Sequence, residues 1–330
     1  MTILVTGGGG FLGQAVIRAL LAEGHRVATL NRSEYPGLAA LGVRCFRGDI
    51  ADSAAVDQAC EGADAVIHVA AKAGPGLYRP DFVRANIDGT QNVLDSCRRH
   101  NIRYLVHTSS PSVVHSGADI EGGGESLPIA SHFASPYPET KARAEQAVLA
   151  ANDGENLLAT ALRPHLIWGP GDNHLLPRMI ERNALGRLKL PAPEKVIDTV
   201  YIDNAAAAHV LALNNLTTSA TAAGKAYFIS NDEPMPNGEI IEALLKAAGY
   251  TPNIGTAPVG LAMSAARVVE TVWKTLRLRS DPPISTFLVE HLATAHWFDL
   301  TAAKRDLGYR AEVSIEEGLE KLAAHYRNID

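Results

Sequence analysis

The chain has 330 residues, enough to bury a large core in one domain or in two closely packed ones. Its 46% hydrophobic and 20% charged residues are typical of a soluble globular protein. The net charge of −6 excludes the general basic field that attracts nucleic acid, so no nucleic-acid partner is expected.

The N-terminus predicts a strand that enters a glycine loop and has no basic segment of the secretory kind. No apolar run reaches the roughly 18 residues of a membrane span. The three cysteines (Cys45, Cys60 and Cys97) are widely spaced, which is typical of a reducing compartment. The twelve histidines are scattered and lack carboxylate partners, so no metal site is predicted. We therefore expect a cytoplasmic protein.

Strands and helices alternate through the first half of the chain. Apolar periodicity predicts strands at 3–5, 26–30, 43–47, 65–70, 104–108 and 158–162. Helices are predicted between them at 11–23, 53–60, 81–100 and 138–151. This alternation predicts an α/β Rossmann fold, a doubly wound parallel sheet with helices on both faces.

The regular alternation of strands and helices ends after Pro164. A strand at 198–202 with a helix at 204–213, and a strand at 225–230, are predicted to return to the sheet domain. Helical stretches are also predicted at 175–185, 237–248, 261–278, 285–292 and 315–327. We therefore predict a nucleotide-binding domain over 1–170 with returning segments at 196–214 and 225–230. A smaller, mainly helical substrate lobe is predicted over 171–195 and 231–330.

A glycine loop joins the first strand to the first helix. Glycine permits a tight turn and a close approach of backbone to a pyrophosphate, and the helix N-terminus offers free N–H groups. In this strand–loop–helix setting the spacing G-x-x-G-x-x-G indicates a dinucleotide site. The residues assigned to it are Gly7, Gly10, Phe11, Leu12 and Gly13. A tight turn without a ligand is the alternative.

The end of the second strand bears on which nicotinamide cofactor is bound. A carboxylate there would hold the ribose 2′-hydroxyl of NAD, but the chain has Asn31 followed by Arg32. A guanidinium can bind a 2′-phosphate. Asn31 and Arg32 therefore favour NADP(H) over NAD(H), the alternative being a solvated surface arginine.

Tyr137 and Lys141 form the only Y-x-x-x-K sequence in the chain, at the start of a predicted helix. Residues four apart share one helix face, so both side chains can reach one cleft. Tyrosine has a free pKa of about 10, and a lysine ammonium beside an oxidised nicotinamide lowers it. Tyr137 is therefore predicted to exchange a proton with a carbonyl oxygen, and Lys141 to bind the nicotinamide ribose.

Hydroxyl groups cluster where the fifth strand ends, at the edge of the sheet where ligands bind in such folds. Ser110 is predicted to hydrogen-bond the substrate oxygen, and Ser109 to lie beside the cofactor. Ser109 and Ser112 are alternatives for the substrate contact. A serine-rich turn without function is the remaining interpretation.

Together these residues resemble the extended short-chain dehydrogenase/reductase superfamily, and within it the 3β-hydroxysteroid dehydrogenase-like branch. The branch features are residues 200–205 with His209, and residues 287–298. A narrower resemblance is to bacterial 2-alkyl-3-oxoalkanoate reductases of long-chain olefin biosynthesis, a group that often has Thr where this chain has Ser110. The segments that carry it are 31–36, 108–113, 162–172 and 224–231.

The resemblance implies further cofactor contacts. Asp49 and Ile50 would contact adenine, and Asn86 would support the site, although a surface role for Asp49 and a structural one for Asn86 stay open. The remaining implied contacts are those of Ala70, Ala71, Lys72, Pro164 and His165.

The resemblance also implies a reaction, in which NADPH reduces the C3 ketone of a 2-alkyl-3-oxoalkanoic acid while Tyr137 protonates and Ser110 polarises the oxygen. Partner enzymes of the olefin pathway would consume the hydroxy acid. A 3β-hydroxysterol dehydrogenase and an NAD-dependent sugar-nucleotide epimerase or dehydratase are alternatives. A non-catalytic redox sensor would be expected to have lost Tyr137 or Lys141.

A hydrophobic substrate needs an apolar pocket and a polar anchor. Residues 260–279 combine apolar and basic side chains, which predicts a lid over that pocket or a peripheral membrane contact. An ordinary helix with its apolar stripe in the core is the alternative. Arg79 and His165 are the candidates for pairing with a carboxylate. From the family we expect a homodimer formed through the helices at 81–100 and 137–151.

Overall fold

Seven parallel strands form the large sheet of the structure, a computed structural model that describes residues 1–328. Across the sheet the strands are Arg44–Arg47, Arg26–Asn31, Thr2–Thr6, Ala65–His68, Tyr104–Thr108, Leu158–Pro164 and Ala226–Ile229. The chain runs outward in one direction from Thr2–Thr6 and then in the other from Ala65–His68. The predicted doubly wound Rossmann sheet is confirmed.

Helices cover both faces of this sheet, because alternate residues of a strand point to opposite sides. Ile3 and Val5 belong to one hydrophobic core, and Leu4 between them belongs to the other. Helices Phe11–Ala22 and Ile202–Thr217 pack on the first face. The second face is covered by Ser53–Cys60, Gly89–Arg99 and Pro136–Ala151.

The long helix predicted at 81–100 is interrupted. A short helix at Arg79–Phe82 leads into a wider π turn at Val83–Asp88, and the regular helix resumes at Gly89–Arg99. A Cβ atom at Gly89 would lie 2.8 Å from Cγ2 of Ile50, so glycine permits this close packing. The π turn presents Asn86 to the interior, and such turns often occur at functional sites.

The segment predicted as a strand at 198–202 does not join the large sheet. Ala226–Ile229 already occupies the sheet edge beside Leu158–Pro164. Val200–Tyr201 pairs instead with Ile167–Trp168, and helix Ile202–Thr217 begins directly afterwards. A second sheet holds the strands Met235–Pro236, Val196–Ile197, His296–Phe298 and Ile120–Gly123.

The C-terminal part is mainly helical, as predicted. Its helices are Leu175–Ala184, Asn237–Ala247, Val259–Thr275, Thr286–Ala293 and Ile315–Arg327. The remaining short elements of the chain are Pro36–Ala40, Pro111–Val113, Ala303–Leu307 and the strand pair Lys189–Leu190 with Gly255–Thr256. Among residues 1–328, no helix is long and apolar enough to cross a membrane.

Helix Val259–Thr275 turns much of its apolar surface outward. Leu261 and Val268 are each 67% exposed, so the interpretation in which the apolar stripe lies in the core is wrong. The helix is held instead by the buried carboxylate of Glu270. That carboxylate accepts hydrogen bonds from the backbone and the hydroxyl of Thr286, each 2.7 Å long.

Candidate active site

A cleft of about 900 Å³ opens where the strands of the large sheet end at their carboxyl termini. Side chains from the helical part of the chain form its far wall. Almost every residue predicted for the cofactor or for catalysis lines this cleft. They are Gly7, Gly10, Phe11, Leu12, Gly13, Asn31, Arg32, Asp49, Ile50, Ala70, Ala71, Lys72, Ser109, Ser110, Tyr137, Lys141, Pro164 and His165.

The glycine loop has the close packing expected of a phosphate cradle. Gly7 has φ of +70°, and a Cβ atom there would lie 2.8 Å from Cα of Ala70. A Cβ atom at Gly13 would overlap the carbonyl oxygen of Gly7. Gly10 caps helix Phe11–Ala22 without a side-chain hydrogen bond, which leaves N–H groups for a ligand. These features fit the pyrophosphate of a dinucleotide.

Asn31 supports this loop from the second strand. Its Oδ1 accepts from the N–H of Gly9 at 2.8 Å, and its Nδ2 donates to Oγ1 of Thr29 at 3.1 Å. Asn31 thus stands where an NAD-binding enzyme would have a carboxylate. The neighbouring Arg32 side chain is exposed, lines the cleft and forms no ion pair within residues 1–328. A 2′-phosphate would find this guanidinium available.

Asp49 and Ile50, the residues that the resemblance assigns to adenine, line the cleft just after strand Arg44–Arg47. Burial raises the pKa of Asp49, but hydrogen bonds from Ala51 and Arg84 outweigh it, and the pKa is lowered overall. The Arg84 contact is 3.0 Å long. Asp49 is therefore a charged group that pairs with Arg84 in the protein itself.

Asn86 does not line the cleft, which corrects its assignment as a cofactor contact. It is 1% exposed, and its side chain bonds to backbone and side-chain atoms of the protein. Its Oδ1 accepts from the N–H of Lys72 at 2.7 Å, and its Nδ2 donates to the carbonyl oxygen of Lys72 and to Oγ1 of Thr140. Asn86 thus ties the loop after the fourth strand to the helix that carries Tyr137 and Lys141.

Ser110 lies at the start of the turn Pro111–Val113, 8% exposed and facing the cleft. Its hydroxyl lies 2.9 Å from that of Ser112, and the backbone N–H of Ser112 donates to it at 3.2 Å. The hydroxyl of Ser109 is buried and has no partner within residues 1–328. All three serines line the cleft, and Ser110 is the one that affects the pKa of Tyr137.

Tyr137 lies in the first turn of helix Pro136–Ala151. Burial raises the pKa of its phenol above the usual value, and the hydrogen bond with Ser110 opposes that rise. The expected lowering of this pKa by Lys141 is not present in the protein alone. The reason is that the Lys141 ammonium is directed to the carbonyl oxygen of Thr108, with which it hydrogen-bonds.

Lys141 is 3% exposed, and burial lowers its pKa to about 8, against an opposing effect of Glu145. Its Nζ lies 3.5 Å from Nε2 of His107. Burial, followed by the charge of Lys141, holds the pKa of His107 well below its ordinary value. Lys141 is therefore a cation that loses its proton more easily than a solvated lysine.

Two buried contacts that the sequence did not reveal support the helix and the strand that hold Tyr137, Lys141 and Thr108. Arg163 donates to Glu145 through Nε at 2.9 Å and through Nη2 at 2.6 Å, which joins strand Leu158–Pro164 to helix Pro136–Ala151. The Nε2 of His209 lies 2.8 Å from Oγ1 of Thr108. His209 is one of the branch features identified in the sequence, and its contact with Thr108 at the end of the fifth strand gives it a structural role.

Four histidines from three separate segments of the sequence meet beside the cleft. The members of this histidine cluster are His115, His165, His291 and His296, and all but His115 line the cleft. Nε2 of His165 lies 2.7 Å from Nδ1 of His296, and the rings of His115 and His291 are 4.8 Å apart. The ring of Phe287 lies between His291, at 4.6 Å, and Tyr137, at 6.3 Å. No group of metal-binding geometry exists among residues 1–328.

The other candidate for a carboxylate contact, Arg79, is already paired. Its Nε and Nη2 donate to the two carboxylate oxygens of Glu139, at 3.0 and 2.5 Å. Arg79 thus forms an ion pair with helix Pro136–Ala151 and does not line the cleft. Of the two candidates, His165 is the one that lines the cleft.

Comparisons with known proteins agree with this geometry. The 3-beta hydroxysteroid dehydrogenase/isomerase family matches residues 4–257. A 2-alkyl-3-oxoalkanoate reductase of Stenotrophomonas maltophilia (strain K279a) is 50% identical, over 98% of this chain and 99% of that protein. A human sterol-4-alpha-carboxylate 3-dehydrogenase, decarboxylating, is 32% identical over 98% of this chain and 88% of its own length.

Among solved structures, a UDP-glucose 4-epimerase of Thermus thermophilus in complex with NAD has a TM-score of 0.75 and 24% identity, and the match covers all of both chains. That likeness concerns the fold alone. The family match and the two relatives also show the family, because they cover most of the chain at the level of the sequence. The chain belongs to the 3-beta hydroxysteroid dehydrogenase/isomerase family, and it is a nicotinamide-dependent oxidoreductase of the extended short-chain dehydrogenase/reductase type.

Proposed function

We propose that the protein reduces the C3 ketone of a 2-alkyl-3-oxoalkanoic acid to the 2-alkyl-3-hydroxyalkanoic acid. The observation that carries this proposal is the meeting of Ser110, Tyr137 and Lys141 on one wall of a cleft that also holds the glycine loop. The 50% identity with a relative named for this reaction supports this substrate class within the family.

The far wall of the cleft suits a substrate with two alkyl chains. The apolar side chains that a pocket for such a substrate requires come from four segments, which also contribute polar residues such as Asn237 and His291. The apolar residues are Leu175, Met179, Ile197, Ile240, Ile241, Leu244, Phe287, Leu288 and Leu292. Burial of the chains there would leave the ketone facing Ser110 and Tyr137.

We assign NADP(H) as the cofactor, held by the glycine loop and helix N-terminus, with Arg32 toward the 2′-phosphate. Asn31 would not repel that phosphate as a carboxylate does, and Arg32 has no competing ion pair within residues 1–328. When bound, the reduced nicotinamide supplies a hydride to the ketone carbon.

The protein's own residues handle the proton and the developing charge. Ser110 donates a hydrogen bond to the ketone oxygen, and Tyr137 transfers its phenolic proton to the same oxygen. Burial keeps Tyr137 protonated at neutral pH, which is the form that a reduction needs. The Lys141 ammonium stabilises the phenolate that remains, once a ligand has drawn it from the carbonyl of Thr108.

The product is a β-hydroxy acid, the kind of compound that lactone-forming and decarboxylating enzymes consume. The resemblance to the reductases of olefin biosynthesis supports a role for this reaction in that pathway, with the lactone-forming and decarboxylating enzymes as partners. We make this assignment as part of the proposal.

Oxidation of a synthetic 2-alkyl-3-hydroxyalkanoic acid tests the proposal, because the hydroxy acid is stable and the β-keto acid decarboxylates. The acid is offered with NADP⁺ or NAD⁺, beside a 3β-hydroxysterol, and the reduced cofactor is followed by absorbance. Turnover of the acid with NADP⁺ and none of the sterol is expected. Turnover of the sterol alone would refute the substrate, and a preference for NAD⁺ would refute the cofactor.

A further inference from the structure

The hydrogen bonds of the histidine cluster assign a tautomer to each of two rings. Nε2 of His296 lies 2.8 Å from the carbonyl oxygen of His291, so it carries a proton and donates it. In the neutral ring Nδ1 of His296 is then an acceptor, and His165 must donate to it from Nε2. The other nitrogen of His165, Nδ1, is left with a free lone pair.

His115 is satisfied in the same way. The hydroxyl of Thr294 donates to the carbonyl oxygen of Glu290, so it can only accept from Nε2 of His115. Nδ1 of His115 in turn accepts from the N–H of Gly117 at 3.4 Å. A further proton on His115 or His296 would therefore displace an existing hydrogen bond, whereas one on Nδ1 of His165 would not. Nδ1 of His291 also has no partner within residues 1–328, but it is fully buried.

The other cations of the cleft are engaged or distant. Lys141 donates to the carbonyl oxygen of Thr108, Lys72 lies 3.7 Å from the carboxylate of Asp81, and Arg84 pairs with Asp49. Arg32 lies at the opposite end, beyond the glycine loop. A carboxylate placed beside Ser110 and Tyr137 thus has no nearby lysine or arginine to neutralise it except Lys141, whose ammonium the proposed reaction assigns to the Tyr137 phenolate.

We propose that the substrate's carboxylate binds at His165 and that its binding draws one proton onto Nδ1 of that ring. His296 holds the ring in place, and His291, whose Nδ1 is buried without a partner within residues 1–328, lies on the same side of the cleft. This inference rests on the proposed function, because it requires an acidic substrate.

The surroundings favour a neutral ring until an anion arrives. Burial, followed by the neighbouring His296, holds the pKa of His165 well below its ordinary value. A bound carboxylate would raise that pKa again, since an opposite charge favours the protonated form. The other titratable groups around the cluster are Asp119, which pairs with Lys195, the buried Asp198, Glu290, Tyr137 and Lys141.

Proton uptake gives the pH dependence a definite sign. Between the pKa of His165 in the free protein and its higher value in the complex, the dissociation constant for the acid should rise up to tenfold per pH unit. The methyl ester of the same acid has no charge to neutralise, so its dissociation constant should not change over that interval.

Calorimetry measures this uptake directly. The hydroxy acid is titrated into the protein with bound NADPH, a combination that cannot react because both partners are reduced. Runs in two buffers with different ionisation enthalpies give the number of protons taken up. About one proton for the acid and none for the ester is expected. No uptake with the acid would overturn the inference.

Two variants locate the proton. In His165→Gln the glutamine amide can donate a hydrogen bond in place of Nε2, but it cannot take up a proton. Proton uptake should therefore fall to zero, and the dissociation constant for the acid should no longer depend on pH. His115→Gln is the matched control, because His115 belongs to the cluster but does not line the cleft, and it should retain the uptake. Retention of NADPH fluorescence in both variants shows that they are folded.

The outcomes separate this inference from the proposed function. Oxidation of acid and ester with equal KM and no proton uptake would overturn the role of His165 and leave the reductase assignment intact. Uptake that persists in His165→Gln would also overturn it. Failure to bind either the acid or the ester, with turnover of a sterol, would overturn the proposed function itself.

Discussion

Replacing Glu145 by Gln should destabilise the protein strongly, because it breaks a buried ion pair behind the catalytic lysine. Glu145 is 1% exposed, and both of its carboxylate oxygens accept from Arg163. Nη1 of Arg163 has no partner within residues 1–328, and its guanidinium lies 4.9 Å over the ring of Phe228. Glu125 is close enough to interact with the charge of Arg163, but it forms no hydrogen bond or ion pair with it within residues 1–328, so the contacts of Glu145 are not replaced.

The expected loss is about 3–5 kcal/mol in the free energy of unfolding, the usual effect of leaving one buried charge unpaired. Urea unfolding followed by tryptophan fluorescence measures it. Glu139→Gln is the matched control on the same helix, since its partner Arg79 is half exposed, and it should cost at most about 1 kcal/mol. Equal losses in the two variants would refute the reasoning.

Glu145→Gln should also change the pH dependence of activity. The Glu145 carboxylate opposes the burial that lowers the pKa of Lys141 to about 8, so its removal should lower that pKa further. The ammonium form, which the proposed reaction uses, would then be lost at a lower pH. The alkaline limb of kcat should move to lower pH, and an unmoved limb would show that Lys141 does not govern it.

Three other variants test separate parts of the site. Tyr137→Phe removes the proton donor and should lower kcat about 10²- to 10⁴-fold while NADPH binding is retained; a smaller loss would assign the proton to another group. Arg32→Glu should weaken NADP⁺ by roughly 10- to 100-fold, the value of a charged hydrogen bond, and should leave NAD⁺ less affected, as steady-state KM values would show. Replacing Leu261 and Val268 by Ser should reduce co-sedimentation with anionic phospholipid vesicles if the exposed face of helix Val259–Thr275 contacts a membrane, whereas no binding of the unaltered protein would rule that contact out.

The features that the sequence predicted correctly are encoded locally. The strand at Tyr104–Thr108 and the helices Ser53–Cys60 and Ile315–Arg327 agree with the prediction to the residue, because apolar periodicity defines them. Most of the residues predicted for the cofactor and for catalysis line one cleft, because the short motifs that contain them lie at the ends of such strands. The parallel sheet then brings those ends together at one edge.

What the sequence could not show depends on contacts between distant segments. The histidine cluster joins residues from positions 115, 165, 291 and 296, and no spacing rule connects them. The strand at Ile120–Gly123 has two glycines and little alternation, so its pattern gives no strand signal. Asn86 is not a cofactor contact but has the supporting role that the motif also allowed, because it is buried in a π turn and bonds to Lys72 and Thr140.

The pKa of Tyr137 shows a similar limit. Sequence proximity suggested that Lys141 lowers it, but the direction depends on burial and on where the ammonium points. Both are properties of the packed helix and the fifth strand, and neither follows from the four-residue spacing.

The most direct test of the substrate combines cofactor reduction with identification of the product. The purified protein is given NADP⁺ and a 2-alkyl-3-hydroxyalkanoic acid, and the organic product is analysed by mass spectrometry. We predict NADPH formation matched by the ketone that remains after the β-keto acid loses carbon dioxide. NADPH formation without that ketone, or no turnover of the acid where a 3β-hydroxysterol is oxidised, would contradict the assignment.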